Sequence, residues 1–462
     1  MEYLSTMGAR KSTGDGRKSG ARKVFFALMT LFLFFIVVEI LLRLMVTPSP
    51  LSCGRFFGIE LPPLKVIPGD EPALDTLKSS SPAASPSPES AANPSPSASP
   101  TSPAAASPAP LAPQEVSPGE PANDDLWGIT REDEVLGYAP REGKRSTRGW
   151  WQSNSLGARR TGEVSFAKPP GVTRILVFGD SFTNCSRLKN DETWPHFLEK
   201  SKKDLEAVNF GTDGYSMGQC LLRYGLLKGK AFHDGMILMF VPGADLERDV
   251  NVCRNFMGWR TGTLIPRFIM KKGALELVKS PYRSSEEFYR ENSSSRISPR
   301  LREHLRKYDS FYILSKYECP PLIGELITYK IWARVRYTNE EHRIREHLMD
   351  EGSEAMEVSR AIFEAMAREA GEQGAEFFLF VLPTRDNVKR YKTDTAFKAQ
   401  WDRMAASLEK CPFPAVDLMK PFAGLEESQF DTGYDGTHYG PGINRRIASW
   451  VMERVGPQLK AR

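Results

Sequence analysis

The stretch 174–185, RILVFGDSFTNC, constrains the fold more than any other part of the chain. Residues 175–178 form a continuous apolar run with β-branched character, short enough for a strand buried on both faces. Such strands belong to parallel sheets covered by helices on both sides. Gly179-Asp180-Ser181 then ends the run abruptly. Gly179 permits a tight turn, and Ser181 emerges at the carboxyl end of the strand, the edge of an open α/β sheet where ligands bind. A serine there becomes a nucleophile beside a base. The far end of the chain supplies one in Asp435-Gly436-Thr437-His438. Three residues apart on a turn, Asp435 can hold one imidazole nitrogen of His438 while the other faces Ser181.

The surrounding pattern alternates strand and helix. Helices are predicted over 193–205, 216–230, 353–372, 395–410 and 442–455, with Pro195 in a first turn and Ser216 as an N-cap. Further strands are predicted over 207–210, 236–241, 375–382 and 415–418. This alternation predicts an α/β fold: a flavodoxin-like three-layer sandwich around a parallel five-stranded sheet. Its expected strand order is 2-1-3-4-5. Between the third and fourth strands, about 251–349 is long, basic and mixed, and reads as a mainly helical insertion able to lid the carboxyl edge of the sheet.

The chain begins differently. Residues 1–23 form a basic tail with Arg10, Lys11, Arg17, Lys18, Arg22 and Lys23. Residues 24–46, VFFALMTLFLFFIVVEILLRLMV, are long enough for a transmembrane helix. Glu39 and Arg43, at i and i+4 near its far end, can pair and snorkel. Basic residues ahead of the span predict a cytoplasmic N-terminus and an extracytoplasmic remainder. The apolar core is long for a signal peptide, and no A-x-A-like site follows closely, which favours an uncleaved anchor. Leu51-Ser52-Cys53-Gly54 only loosely matches a lipoprotein cleavage site. Residues 47–123 read as a Pro/Ser/Ala-rich disordered linker. As polyproline II at ~3.1 Å per residue, its richest part would reach roughly 140 Å from the membrane. Residues 124–462, opening with Trp127, Tyr138, Trp150 and Trp151, form the globular domain.

A net charge of +5, with basic residues dispersed or at the extreme N-terminus, does not indicate nucleic acid. Six cysteines in 462 residues make no disulfide scaffold, and no H-E-x-x-H or paired C-x-x-C spacing points to a metal. Cys185 and Cys253 fall in loops leaving neighbouring strands. The pair is within reach of a disulfide in an exported domain; the alternative is that they are separate thiols, with Cys220 packed as a small hydrophobe.

From Trp127 onward these residues resemble the SGNH (GDSL-type) hydrolases, in a membrane-anchored, bacterial-type form. The Gly-Asp-Ser-Phe block carries the nucleophile, Ser181, whose own N–H also serves the oxyanion hole. The stretch Val208-Asn209-Phe210-Gly211-Thr212-Asp213-Gly214-Tyr215-Ser216 resembles the second block, which places another oxyanion N–H on Gly214. Asp435 and His438 match the D-x-x-H block. The third block departs: Ala244 stands where the family has an asparagine donor, a loss that costs ~10²–10³ in rate. Asn251 is a candidate replacement, and Asp180 is expected chiefly to order the turn. Asn154-Ser155-Leu156-Gly157-Ala158-Arg159 resembles the lead-in before the first strand, with a structural role expected. A rival nucleophile, Ser216 in Gly214-Tyr215-Ser216-Met217-Gly218, matches G-x-S-x-G, but residues 211–214 separate it from its strand.

The resemblance implies a cofactor-free serine esterase that cleaves an acyl ester. Anchoring through 24–46 points to an envelope substrate, an O-acylated glycan or a lipid. An O-acyltransferase using the same triad, and a binding module weakened by Ala244, are the alternatives.

Overall fold

The computed structural model describes residues 14–67, 129–146, 149–254, 264–293, 297–433 and 436–459. Residues 1–13 of the expected tail 1–23, the Ser/Pro/Ala stretch 79–123, Trp127 and Asp435 lie outside the described residues. The chain divides into two compact units.

The larger unit, Asp70–Glu291, Lys307–Asp309 and His347–Arg462, holds the sheet. Its strands are β1 (Thr173–Phe178), β2 (Leu205–Asn209), β3 (Gly235–Phe240), β4 (Glu376–Val381) and β5 (Ala415–Asp417). All pair in parallel, in the order β2-β1-β3-β4-β5, as the alternating pattern predicts. β1 and β3 are buried along their whole length, which is why 175–178 and 236–240 read as unbroken apolar runs.

Eight helices of this unit matter here: α1 (Ser181–Asn184), α2 (Trp194–Lys200), α3 (Met217–Leu227), α4 (Pro242–Asp249), α5 (Glu354–Glu372), α6 (Arg385–Thr393), α7 (Thr395–Leu408) and α8 (Pro441–Val455). α2 packs with α8 and α3 with α5, flanking the sheet in three layers. Side-chain caps start several of them: Thr193 for α2, Ser353 for α5 and Asp394 for α7. α6 has no counterpart in the sequence pattern. Val388 is its one buried residue, so no apolar stripe announces it; a Thr384–Asn387 capping box sets its start.

The smaller unit gathers Met1–Gly69, Asn292–Arg306 and Ser310–Glu346. Two expectations change here. The first part of the expected linker is folded: Val46–Thr47, Arg55–Phe56 and Ile59–Glu60 form a small antiparallel sheet, and Leu61, Val66 and Ile67 are buried. Leu61-Pro62-Pro63-Leu64 and Val66-Ile67 supply apolar surface that the later Ser/Pro/Ala stretch lacks. The expected insertion is also not one body. It opens with a hairpin, Arg267–Lys271 with Ala274–Val278, in the sheet unit. Most of its helical part, including Ile327–His347, groups instead with the N-terminal helix Gly14–Leu44. Within that helix Arg22–Leu44 is long and apolar enough to cross a membrane, at a mean hydropathy of 2.8.

Candidate active site

Ser181 opens α1 directly after β1. Gly179 has φ +154, and a Cβ there would lie 2.2 Å from Thr183 Oγ1 and 2.9 Å from the Met239 carbonyl. The turn therefore demands glycine. Asp180 caps α1, its Oδ1 accepting the Phe182 N–H at 2.8 Å. His438 arrives from the loop before α8, and its Nε2 lies 2.8 Å from Ser181 Oγ. The serine and histidine, 257 residues apart, are thus brought together.

Side chains fix the histidine loop. Asp431 accepts the Gly442 and Ile443 N–H groups at 2.6 and 2.7 Å, at the start of α8. The Tyr439 hydroxyl donates to the Pro383 carbonyl at 2.6 Å. Asn444, on α8, donates to the Tyr439 and Gly440 carbonyls, both at 2.9 Å. Its Oδ1 accepts the Cys185 thiol at 3.1 Å and the Trp194 N–H at 3.2 Å. One amide thereby ties the histidine loop to the loop that follows Ser181. The Phe182 ring packs 4.8 Å from the His438 ring.

Burial pushes the Cys185 thiol up to about 12, so it stays protonated and donates. No disulfide joins Cys185 to Cys253. The Cys185 thiol is turned to Asn444, whereas the Cys253 backbone is held by Asp309, its N–H donating at 2.9 Å. Neighbouring strands do not oblige the loops that leave them to meet.

The second-block loop is tied to the first, the Thr212 N–H donating to the Gly179 carbonyl at 3.1 Å. Gly214 turns this loop at φ +72, a left-handed conformation that favours glycine. Beside it, the Asp213 carboxylate accepts Asn184 Nδ2 at 2.6 Å and the Ser186 hydroxyl. Ser216 is buried and caps α3, accepting the Gln219 N–H at 3.2 Å, with Gln219 returning the bond in a capping box. Asn251 does not line the cleft with Ser181 and His438. Its Nδ2 donates to both Asp309 oxygens at 3.2 and 3.0 Å and to the Cys253 carbonyl at 3.1 Å. Its place in the oxyanion hole is therefore withdrawn: the loop after α4 folds onto Asp309, a residue too distant in sequence to foresee.

Ser181 and His438 open into a cleft of about 730 Å³. Ala244 and Arg248 both line it, one turn apart on α4. Arg248 Nη1 donates to Asp180 Oδ2 at 2.7 Å, to Asp245 Oδ1 at 3.0 Å and to the Tyr215 carbonyl at 3.4 Å. Burial opposes the Arg248 charge, yet Asp180 and Asp245 more than offset this and hold the guanidinium firmly protonated. Burial, reinforced by the charge of Asp180, pushes the Asp245 carboxyl well above the usual range, against the pull of Arg248.

Arg159 plays the structural part expected of it. Its guanidinium gathers the carbonyls of Asn184, Cys185 and Leu188, stiffening the loop after Ser181. Burial lowers its pKa to about 10, still charged at neutral pH. Arg248, Asp213, Asn184 and Asn444 escaped the sequence reading. The one available signal was the i, i+4 spacing of Arg248 from Ala244. Among the described residues no group of three or more His, Cys, Asp or Glu is placed to hold a metal.

No protein-family model matches the chain, and no curated protein matches it. Solved structures similar to it include a lipase/acylhydrolase from Enterococcus faecalis, at 12% identity over 63% of this chain and 99% of that one, with a TM-score of 0.30. A member of the lipolytic protein G-D-S-L family from Veillonella parvula matches at 11% identity over 62% and 100%, with a TM-score of 0.27. The psychrotrophic esterase EstA from a Pseudoalteromonas species matches at 10% identity over 62% and 98%, with a TM-score of 0.29. By its own strand order, its Gly179-Asp180-Ser181 turn and its Ser181–His438 pair, the chain has the SGNH (GDSL-type) hydrolase fold.

Proposed function

We propose that this protein is a membrane-anchored, extracytoplasmic serine esterase. The observation that carries the reading is the 2.8 Å approach of His438 Nε2 to Ser181 Oγ at the mouth of a cleft. In this reading Ser181 attacks the ester carbonyl while His438 takes its proton and passes it to the leaving alcohol. Asp435 orients His438, and the Ser181 and Gly214 N–H groups bind the oxyanion. Water, activated by the same histidine, then releases the acyl group. The Arg22–Leu44 helix holds the enzyme at the membrane, with the basic tail cytoplasmic.

The cleft lining favours an acylated glycan over a lipid. Arg187, Arg385, Lys389, Asp386 and Thr437 sit beside Trp150 and Phe182, a mixture suited to a sugar rather than a long acyl chain. Turnover of a chromogenic acetate ester by the full chain tests the reading, with Ser181→Ala alongside. Release by the wild type and its loss in Ser181→Ala are expected. Equal release by both proteins would sink the assignment. Adding a glycan acceptor separates hydrolysis from transfer: acyl-glycan formed in place of free acid would make the protein a transferase. No turnover under either condition would leave the binding-module reading.

A further inference from the structure

Glu39 is a carboxylate inside an apolar helix, and the smaller unit explains how it is tolerated. Its oxygens accept the Ile327 N–H, the Thr328 N–H at 3.2 Å and the Thr328 hydroxyl at 3.2 Å. These are first-turn groups of the helix Ile327–His347, where a negative charge is stabilised. One turn on, Arg43 Nη2 donates to the Glu325 carbonyl at 2.8 Å, while its guanidinium stays 3.8 Å from Glu39. The expected Glu39–Arg43 pair is therefore shared with a segment almost 290 residues away.

This fixes a depth. Glu39 lies five residues before Leu44, the end of the apolar span. At ~1.5 Å per residue that is about 7.5 Å along the axis. The turn preceding residue 327 is tied to this level, inside the end of the span.

The residues of that turn suit such a place. Leu322 is 87% exposed and Ile323 58%. Leu322 also holds φ +67 and ψ −65, a γ-turn conformation that is strained for a leucine. On the following helix Trp332 and Val335, three apart and so on one side, are 51% and 56% exposed. Trp332 lies 5.4 Å from the Tyr329 ring, and the Arg336 guanidinium sits over it at 5.4 Å. Aromatic rings beside arginine, next to exposed aliphatic side chains, match the composition of a membrane–water interface. Outside the apolar span the larger sheet unit exposes only Val135, Phe166, Leu226 and Phe232 among its described large hydrophobics, so the concentration here is not the ordinary scatter.

We propose that the Leu322–Ile323 turn, with the Trp332–Val335 side of the following helix, is a second membrane contact, seated in the interface of the bilayer that the N-terminal helix crosses. The proposal rests on that helix spanning the bilayer. The turn lodges its aliphatic side chains at the headgroup–acyl boundary, Trp332 and Tyr329 lie at headgroup level, and Arg336 meets lipid phosphate. A single-helix anchor becomes a two-point attachment.

Photo-crosslinking tests this on the full chain in nanodiscs of mixed phosphatidylcholine and phosphatidylglycerol. p-Benzoylphenylalanine replaces Leu322, Phe32 in the span, or Phe166 in the sheet unit, in separate proteins. Lipid adducts at Leu322 and Phe32, and at least 10-fold less at Phe166, are the expected result. Adducts at Phe32 without adducts at Leu322 would overturn the second contact and leave the anchor standing. No lipid adduct at either position would overturn both. Equal labelling at Phe166, or crosslinking of Leu322 to a second protein chain in place of lipid, would also overturn the contact.

Discussion

Arg248 and Asp180, both buried, meet at 2.7 Å at the turn that carries Ser181. Asp180 uses one oxygen to cap α1 and the other to accept from Arg248, so the geometry of the Ser181 turn depends on a charge pair. Asp245 is a second buried carboxylate on the same guanidinium. Removing the cation leaves both acids without it. Arg248→Met should destabilise the sheet unit by about 3–5 kcal/mol, as breaking buried pairs does. Asp180→Asn keeps a good cap and should cost less. Urea melts of both variants check this; a smaller loss for Arg248→Met than for Asp180→Asn would show that the pair is not what holds the turn.

Ala244 lines the cleft one turn before Arg248, at the position expected to carry a side-chain oxyanion donor. Ala244→Asn should raise kcat about 10-fold, since such a donor acts on the transition state. Steady-state kinetics on an acetate ester decide it. An unchanged kcat would mean that Arg248 already meets the developing charge.

Asn444 ties the His438 loop to the loop that follows Ser181. Asn444→Leu keeps the volume but strips partners from the Cys185 thiol, the Trp194 N–H and two carbonyls. A loss of about 2–3 kcal/mol is expected from these buried groups. A fall in kcat of roughly 10-fold or more should accompany it as His438 loses register with Ser181. Cys185→Ser retains a donor and should leave kcat within about 3-fold, because the thiol does no chemistry. If Cys185→Ser loses as much activity as Asn444→Leu, the thiol has a role beyond this bond.

His233 is buried between the Tyr224 hydroxyl, at 3.3 Å, and the Ala231 carbonyl, at 3.2 Å. Burial pulls its pKa below the usual imidazole value, with Arg174 adding to this and the Ala231 bond and Asp234 opposing it. The folded state thus resists a proton that the unfolded chain accepts. Its contribution is full above about pH 6.5, the ordinary imidazole value, and is lost as pH falls through the depressed folded value. His233→Phe should flatten the fall in stability between pH 7 and 5, measured by urea midpoints. An equally steep fall in the variant would place the acid sensitivity elsewhere.

The sequence by itself determined the sheet, its order and the pair at its edge. Strands covered on both faces are apolar over most of their length, so the runs 175–178, 236–240 and 377–381 make β1, β3 and β4 visible. A Gly-Asp-Ser turn at the end of one run and a histidine before the last helix are local patterns that need no knowledge of the chain's path. α6 was hidden because a helix with one buried residue has no stripe to read. Only the tertiary structure decided which polar groups meet: Arg248 with Asp180, Asn444 with the Cys185 loop, Asn251 with Asp309, and Glu39 with the first turn of a helix almost 290 residues on. Those pairings depend on loop paths and on the need of every buried charge and N–H to find a partner, and many sequences could satisfy that need in many ways.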